Sequence, residues 1–354
     1  MLNLRMADTK STDPNRLHAR KTGLRYVSAA MPGIKRVKKG SGFSYLDADG
    51  GPVKDEATLQ RIKSLVIPPA WRDVRICPHE TGHLQATGLD VKGRKQYRYH
   101  PEWNKSRNSS KFGRMQAFAD RLPVIRKAVE ADLGLRGIPK QKVVATVVGL
   151  LDKAFLRIGN TEYTKSNKSY GLTTLRDRHV EIKGDTIRFE FIGKKGVAQA
   201  VKLEDARLAR IVKKCKDIPG FDLFQYFDDK GERHCIESGD INEWLQETAG
   251  EAFTSKDFRT WAGTVQAFRF LRGLEHTTDE KVSKKNMVDV VKLVAGKLGN
   301  TTAVCRKYYI HPEVLEAFAD GRLHRFIAAC ENVRARKYFS VEECMLVRFL
   351  EEKV

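Results

Sequence analysis

Residues 179–203 read HVEIKGDTIRFEFIGKKGVAQAVKL, and apolar and polar side chains alternate along most of this stretch. Alternation with a period of two is typical of strands that bury one face. Two glycine-containing turns, KGD and GKKG, divide the stretch into three parts. We therefore predict a three-stranded antiparallel sheet, with Ile187, Phe189 and Phe191 on one face.

On both sides of this sheet, apolar residues recur every three or four positions, which predicts helices. Before the sheet we expect a helix around Phe112–Leu122 and a longer one from Pro139 to Ile158, which Gly159 and Asn160 end. After it, helices are expected at about 204–215, 238–249, 255–274, 279–298, 312–319 and 340–352. One small sheet among so many helices indicates a mostly helical domain.

The first hundred residues have a different pattern, with the short strand-like segments RYVSAA, FSYLD, GPVKD and KQYRYH separated by turn residues. We expect a flexible arm over residues 1–20, a β-rich domain over 21–104, and a polar linker, NKSRNSSK, at the start of a helical domain over 105–354. The predicted fold class is α+β, with a small antiparallel β-rich N-terminal domain and a mostly α-helical C-terminal domain that contains the three-stranded antiparallel sheet.

The charge of the chain indicates the class of its partner. Its 354 residues include 65 Lys and Arg against 44 Asp and Glu, a net charge of +21. Residues 1–110 hold 21 of these cations and 10 of the anions, so they carry +11 of the excess. A surplus of this size favours a polyanionic partner, and nucleic acid is the commonest. The alternative from charge alone is a basic protein with solvated lysine side chains, and dispersed cations argue against a membrane surface.

Other features exclude whole classes of protein. No apolar run approaches the roughly 18 residues that a membrane-spanning helix needs. The start, MLNLRMADTKSTDP, lacks the pattern of a secretory leader, and six scattered cysteines do not suggest a disulfide framework. We therefore expect a cytoplasmic protein, associated with the nucleoid if its partner is DNA.

Several common kinds of site are missing from the sequence. It contains no Walker-type phosphate loop, no dinucleotide-binding glycine motif after a strand, and no Gly-x-Ser-x-Gly motif. Asp47–Gly51 begins like a calcium loop, but the later ligands are absent, and we interpret it as a hairpin turn. Cys77, His79 and His83 lack a fourth zinc ligand at standard spacing. We expect neither a metal nor a nucleotide cofactor.

The segment RKQYRYH, residues 94–100, alternates cations with aromatic residues. On a strand, Tyr97 and Tyr99 would face one way while Gln96 and Arg98 face the other. Tyrosines can pack on sugars or bases, and a glutamine can recognise an adenine edge. The alternative is an ordinary sheet whose tyrosines belong to the core.

Five polar residues lie where predicted elements end. They are Arg157 in the last turn of its helix, Lys194 in a hairpin turn, Arg259 just after a predicted Ser255 N-cap, Asn300 after Gly299, and Tyr309 in CRKYYIHP. Each has an ordinary explanation, such as helix-dipole stabilisation, a solvated turn, a salt bridge, turn chemistry or core packing. Taken one at a time, the five residues leave these alternatives open.

Taken together and in order, these segments resemble the type IB DNA topoisomerases, particularly the small enzymes of bacteria and poxviruses. The matching segments are KQYRYH, FLRIGNTEYTKSNKSYGLTTLRDRHVEI, FIGKKG, SKDFRTW and LGNTTAVCRKYYIHP. The resemblance implies that Arg157, Lys194, Arg259, Asn300 and Tyr309 are catalytic, with Tyr309 as the nucleophile. It also implies that Arg94, Lys95, Gln96, Tyr97, Tyr99 and Tyr163 contact DNA.

The sequence departs from the family pattern at one catalytic position. The family often has a histidine nine residues before the nucleophile, where this chain has Asn300. An asparagine can still donate a hydrogen bond to a phosphate oxygen, but it does not titrate near neutral pH. The spacing of nine residues also favours Tyr309 over its neighbour Tyr308 as the nucleophile.

The resemblance implies a monomer that clamps double-stranded DNA, cuts one strand through a 3′-phosphotyrosyl link, allows rotation, and reseals the strand without ATP or metal. Two alternatives remain. A tyrosine recombinase uses similar residues to exchange strands, although its N-terminal module is usually not β-rich. A DNA-binding architectural protein could keep the fold without the chemistry.

Overall fold

The computed structural model describes residues 14–28, 31–91, 93, 95–161, 164, 167–250, 253–330 and 332–352. The chain divides into two compact units, Met1–Lys111 and Phe112–Val354, here called the N-terminal and C-terminal units. The N-terminal unit contains a five-stranded antiparallel sheet, and the C-terminal unit is mostly helical with a three-stranded antiparallel sheet. The predicted α+β fold class is confirmed.

The N-terminal unit is built on a sheet of strand order β2-β1-β3-β4-β5, so β2 and β5 form its edges. Its core consists of apolar residues from the sheet and from helix α2, including Ile34, Ile62 and Ile76. The elements in chain order are α1 (Pro14–Lys21), β1 (Ile34–Lys39), β2 (Gly42–Leu46), α2 (Glu56–Ser64), β3 (Arg72–Ile76), β4 (Leu84–Leu89), β5 (Lys95–Tyr99) and α3 (Pro101–Asp132).

Part of the predicted organisation of this unit is wrong. Residues 14–20 of the predicted arm belong to α1, because Ala19 is buried against Leu24 and Trp103. The described part of RYVSAA makes only an isolated bridge from Arg25 to Gly82, and GPVKD makes only one at Pro52. The Asp47–Gly51 turn is present, with the Asp47 carboxylate accepting hydrogen bonds from the backbone N–H groups of residues 49 and 51.

The predicted linker at residues 104–111 is also wrong, because helix α3 runs through it without a break. The polar composition of NKSRNSSK resembles a loop, but the residues on either side of it are fixed. Trp103 is buried in the N-terminal unit, and Phe112 and Met115 are buried in the C-terminal unit. The buried residues on both sides of the polar segment therefore stabilise the helix across it.

The C-terminal unit surrounds the predicted sheet with helices. Ile187 and Phe189 are fully buried and Phe191 is 8% exposed, all on strand β7, as the alternation predicts. The elements are α4 (Lys140–Ala154), β6 (Val180–Lys183), β7 (Thr186–Ile192), β8 (Ala198–Glu204), α5 (Ala206–Lys216), β9 (Gln225–Phe227), β10 (Arg233–Cys235), α6 (Ser238–Ala249), α7 (Ser255–Arg272), α8 (Glu280–Leu298), α9 (Thr302–Tyr308), α10 (Pro312–Ala319), α11 (Arg322–Ala329) and α12 (Val341–Glu351). The short helices α9 and α11 have no counterpart in the sequence-based prediction.

Two predicted helix boundaries near the site are corrected. Helix α4 ends at Ala154 rather than Ile158, because Phe155 adopts a left-handed conformation with φ of 57°. Arg157 therefore follows the helix instead of lying in its last turn. Helix α7 is capped by Thr254, whose hydroxyl accepts the Lys256 N–H, and not by Ser255.

Within the described ranges, none of the helices combines the length and apolar character that a bilayer crossing requires. All six cysteines are unpaired, and Cys235 is the exposed one.

Candidate active site

Arg259 lies on the buried face of α7, where its side chain reaches the ends of two other helices. The residue is only 4% exposed. Its Nη1 donates to the carbonyl of Phe155, and its Nη2 donates to the carbonyl of Leu298 at 2.7 Å. The Nε group is buried and finds no acceptor among the described residues. Backbone carbonyls thus hold the guanidinium in place, and its Nε–H is a donor without an acceptor among the described residues.

These carbonyls suit a cation because of their positions at helix ends. The last carbonyl groups of a helix have no partner within the helix and lie at the negative end of its dipole. Burial lowers the pKa of Arg259 to about 10, and the charge of nearby Arg157 acts in the same direction. Arg259 therefore keeps its charge at pH 7, but that charge is incompletely compensated, which favours binding of an anion.

Arg157 lies beside Arg259 and contacts the turn that follows α8. Its Nη2 donates to the Gly299 carbonyl at 3.0 Å and to the side-chain oxygen of Asn300. Burial lowers the pKa of Arg157. Because the Asn300 oxygen is occupied, its Nδ2 is left as a buried donor with no acceptor among the described residues. Arg157 thus orients the Asn300 amide.

Tyr309 follows α9 directly and packs against this pair of arginines. Its backbone N–H donates to the Cys305 carbonyl at 2.9 Å. The Arg259 guanidinium carbon is 5.2 Å from the centre of the Tyr309 ring, within the range of a cation–π contact. The neighbouring Tyr308 ring instead contacts Lys307 at 5.4 Å. The geometry therefore associates Tyr309, rather than Tyr308, with the arginines.

Lys194 occupies the turn between β7 and β8, where it is exposed. It lines two clefts in the C-terminal unit, of about 780 and 290 Å³, which share Arg157, Lys194 and Tyr309. Asn300 lines the larger cleft and Arg259 the smaller one. The five predicted catalytic residues therefore lie around adjoining clefts, although they come from widely separated positions in the sequence.

The clefts are cationic. Among the described residues that line them there is no aspartate or glutamate. Besides Arg157 and Arg259, the lining includes lysines at six positions: Lys153, Lys194, Lys195, Lys202, Lys256 and Lys297. A tyrosine beside two guanidiniums in such surroundings can act on a phosphodiester, because the developing negative charge would meet fixed positive groups.

Comparison with known proteins identifies the family. The family model for the eukaryotic DNA topoisomerase I catalytic core matches residues 100–334, and the one for the bacterial DNA topoisomerase IB N-terminal domain matches residues 42–90. The DNA topoisomerase 1B of Acanthamoeba polyphaga mimivirus is 32% identical over 301 residues, 82% of this chain and 89% of that protein. The chain belongs to the type IB DNA topoisomerases. The vaccinia virus (strain Copenhagen) DNA topoisomerase 1B and the monkeypox virus DNA topoisomerase I are each 24% identical, over 76% of this chain and 85% of their own length.

The resemblance inferred from the sequence motifs is thereby confirmed, and the chain is an enzyme, a DNA topoisomerase of type IB. This chain aligns with most of the length of the mimivirus and poxvirus relatives. The sequence similarity therefore extends over both units and is not limited to one motif.

The predicted DNA-contacting strand is β5, an edge strand of the N-terminal sheet. Tyr97 and Tyr99 are 45% and 37% exposed, and their rings stack with centres 6.0 Å apart. The Lys95 ammonium lies 5.9 Å from the Tyr97 ring. Gln96 faces the other way and donates to the Asp90 carboxylate at 3.0 Å.

Arg98 was not predicted to contact DNA. It shares a face with Gln96, donates to the carbonyls of Leu65 and Val66 and thus has a structural role. Arg94 and Tyr163, the remaining two residues expected to contact DNA, lie outside the described residues. The predicted alternation of β5 is confirmed, whereas the contact of these side chains with DNA stays a prediction.

A possible metal-binding group lies away from the clefts. Asp228, Glu232 and His234 form the single cluster of this kind among the described residues. The Asp228 carboxylate is already occupied by two backbone N–H groups and by the His234 ring at 2.8 Å. Cys77 and His83, which the sequence singled out, are in no such cluster, and the His83 ring stacks on Tyr26 at 4.4 Å.

Sequence reasoning missed two residues that support Tyr309. A side chain at Gly263, in the middle of α7, would overlap the Tyr309 carbonyl. The neighbouring Thr264 hydroxyl lies 3.3 Å from that carbonyl and accepts the His311 N–H at 3.1 Å. An unexplained glycine inside a strongly helical segment, FRTWAGT, is the signal that could have indicated such a close approach.

A third residue was missed beside Asn300. The Gln199 side chain of β8 packs against Gly299. A Cβ added to Gly299 would overlap the Oε1 atom of Gln199 and lie 2.8 Å from its Nε2 atom. Gln199 also lies 3.0 Å from the position of a Cβ on Gly193, which precedes Lys194. The Gln199 side chain therefore lies between the turn of Lys194 and the turn of Asn300, with its Cγ near the first and its amide near the second.

Replacing Gly299 by alanine should damage the site selectively. Gly299 has a left-handed φ of 57°, which strains an alanine there, and the added Cβ would also displace the Gln199 amide beside it. Both effects disturb the turn that presents Asn300. We expect DNA relaxation to fall about 10- to 100-fold. The measurement is the initial rate of plasmid relaxation.

Gly113→Ala is the control. Gly113 lies inside helix α3, outside the described lining of both clefts, with open space at the position of a Cβ, so alanine should stabilise the helix by about 0.5–1 kcal/mol and leave activity unchanged. Equal activities for the two variants would contradict the role given to Gly299.

Proposed function

We propose that this topoisomerase relaxes both positive and negative supercoils by cutting one DNA strand through a 3′-phosphotyrosyl intermediate on Tyr309. The observation that carries the proposal is the shared lining of the two clefts. Arg157, Lys194 and Tyr309 border both, and the described lining contains no aspartate or glutamate; Lys153 and Lys202 pair with Asp205 and Glu204 outside it. Such a site favours a phosphodiester beside the phenol.

The reaction exchanges one phosphodiester for another. The Tyr309 oxygen attacks the phosphorus and gives its proton to solvent water, while the bond from phosphorus to the 5′-oxygen breaks. A phenol with a pKa of about 10 is a better leaving group than an alkyl alcohol, so the 5′-hydroxyl can later reverse the step. Lys194 gives a proton to the departing 5′-oxygen and recovers it on religation. The DNA strand is thus restored.

Charge develops on the non-bridging oxygens during each step, and three side chains would stabilise it. Arg157 and Arg259 are forked cations that remain protonated at neutral pH. The buried donors that lack partners among the described residues, Nε of Arg259 and Nδ2 of Asn300, are available to those oxygens. Because Asn300 does not titrate, we assign it a hydrogen-bonding role and not an acid–base role.

We propose that the enzyme works as a monomer, with both units contacting one duplex. The N-terminal unit would contribute Lys95, Gln96, Tyr97 and Tyr99, of which the two tyrosines offer exposed, stacked rings. Arg94 and Tyr163 are proposed contacts from the family resemblance alone. With DNA as the partner, the enzyme would act at the nucleoid in the cytoplasm.

Tyr309→Phe should abolish formation of the covalent adduct and relaxation, while duplex binding persists. The phenylalanine keeps the ring beside Arg259 and removes only the attacking oxygen. Adducts are detected on denaturing gels with DNA labelled so that protein on the 3′ end is visible.

Tyr308→Phe serves as the control and should form adducts at the normal rate. The nucleophile assignment fails if Tyr309→Phe still forms the adduct or if Tyr308→Phe loses it.

Lys194→Ala should slow cleavage about 10²- to 10⁴-fold, as expected for loss of a general acid. A substrate with sulfur in place of the bridging 5′-oxygen should restore most of the rate, because a thiolate leaves without a proton. The measurement is single-turnover cleavage of both substrates.

Lys195→Ala is the matched control, because Lys195 is exposed in the same turn. It removes one cation from the larger cleft, so it should slow cleavage of both substrates to the same small extent and show no sulfur-specific recovery. Absence of sulfur rescue in Lys194→Ala would move the acid role to another residue.

Relaxation should continue in EDTA and without nucleotide. Fixed guanidiniums supply the charge stabilisation, and bond energy is retained in the phosphotyrosine link. The clefts also lack, among their described lining, the carboxylates that Mg²⁺ prefers. Plasmid relaxation with and without EDTA tests this, and strict magnesium dependence would contradict it.

A further inference from the structure

The C-terminal segment extends past the residues that match the topoisomerase catalytic core, since that match ends at residue 334. Its helix α12 begins with a capping box between Ser340 and Glu343 and buries most of its apolar side chains in the core of the C-terminal unit. Phe349, for example, packs on Phe268 and Phe326. Glu343 is only 6% exposed, which is unusual for a carboxylate and requires a partner.

That partner is Arg126 of α3, whose five N–H donors are all engaged. It donates two hydrogen bonds to Asp152, at 2.7 and 2.9 Å, and two to Glu343, at 3.0 and 2.8 Å. The fifth goes to the carbonyl of Tyr338. A guanidinium bidentate to two carboxylates is a rigid junction of three helices.

Glu343 extends the junction to a fourth helix. Its Oε1 accepts the indole N–H of Trp261 on α7 at 2.9 Å, and its Oε2 accepts the Ser340 N–H at 2.9 Å. Burial alone would raise the pKa of Glu343, but Arg126 and the other donors outweigh it and lower the pKa. The carboxylate is therefore ionised and saturated. We call Arg126, Asp152, Glu343 and Trp261 the Arg126 cluster.

The Arg126 cluster adjoins the elements that hold Arg259. Trp261 lies two residues after Arg259 on α7. Asp152 lies in the last turn of α4, three residues before Phe155, whose carbonyl accepts a hydrogen bond from Arg259. The cluster thus fixes both the helix that carries Arg259 and the helix end that receives it.

We infer that Glu343 and Arg126 are positioning residues for DNA cleavage, and that α12 acts on the reaction by holding the end of α4 against α7. The inference rests on the proposed role of Arg259 in the chemistry. Without the Glu343 charge, Arg126 loses half of its carboxylate contacts and Trp261 loses a strong acceptor. The Phe155 carbonyl and the Arg259 guanidinium would then no longer be held in the position that forms their hydrogen bond.

Glu343→Gln in the full-length chain is the principal test. A glutamine keeps the volume but brings an N–H₂ group toward the Arg126 donors. We expect duplex binding to change less than twofold and single-turnover cleavage to fall at least about tenfold, in line with loss of alignment at a catalytic group. Phe349→Leu is the control, because it weakens the packing of α12 without touching the cluster. It should lower the thermal midpoint and leave cleavage unchanged.

A merely structural role predicts a different pattern. Glu343→Gln would then lose stability like Phe349→Leu and cleave at the normal rate per folded molecule, which would overturn the inference. A double-mutant cycle with Arg259→Lys adds a second readout. If Glu343 acts through Arg259, the two substitutions together cost less than the product of their separate effects. Fully multiplicative effects would contradict the inference.

Trp261→Phe covers the case in which Glu343→Gln does not fold. It keeps an aromatic ring on α7 but removes the indole donor to Glu343 together with part of the buried ring system, and we expect cleavage to fall several-fold. Normal cleavage by that variant would overturn the inference. Absence of any adduct with the unaltered enzyme would instead contradict the proposed function, so the two failures are distinguishable.

Discussion

The candidate active site depends on two arginines that are held by backbone carbonyls instead of carboxylates. Arg259, on α7, donates to carbonyls at the ends of α4 and α8. Arg157, which follows α4, donates to the Gly299 carbonyl and to the Asn300 side-chain oxygen in the turn after α8. A carboxylate in either place would neutralise the cation and compete with a phosphate. Carbonyls at helix ends supply only partial charge. They fix the geometry of the guanidiniums and leave most of their charge for an anion.

This arrangement explains why some helix boundaries could be predicted from the sequence and others could not. The three-stranded sheet was predictable because its alternation and its glycine turns are local signals. The end of α4 was not, since the apolar spacing continues through Phe155 to Ile158. The helix stops early because Phe155 turns to a left-handed conformation and presents its carbonyl to Arg259, 104 residues away. Tertiary contacts of this kind override the helix propensity that the apolar spacing indicates.

In the N-terminal unit, too, some strands could not be predicted from the sequence. Strand β4, LQATGL, is buried at five consecutive positions, so it carries no alternation of period two. Strand β3 contains three charged residues, and α1 is polar, so neither resembles an element with a buried face. By contrast, β5 is an edge strand with exposed tyrosines, and its alternation was visible. The five catalytic candidates could be predicted only as a combination, because each alone has an ordinary local explanation.

The C-terminal unit thus uses arginine in two opposite ways. Arg126 donates all of its hydrogen bonds, four of them to carboxylates, and is electrostatically saturated. Arg259 is buried and Arg157 half-buried among neutral acceptors, and removal from water lowers the pKa of each. A saturated guanidinium can only join helices, whereas an unsaturated one also attracts a phosphate. The placement of acidic residues therefore separates the structural Arg126 from Arg157 and Arg259, the proposed catalytic arginines. Asp152 and Glu343 surround Arg126, and carboxylates are missing from the described lining of the clefts that hold the other two.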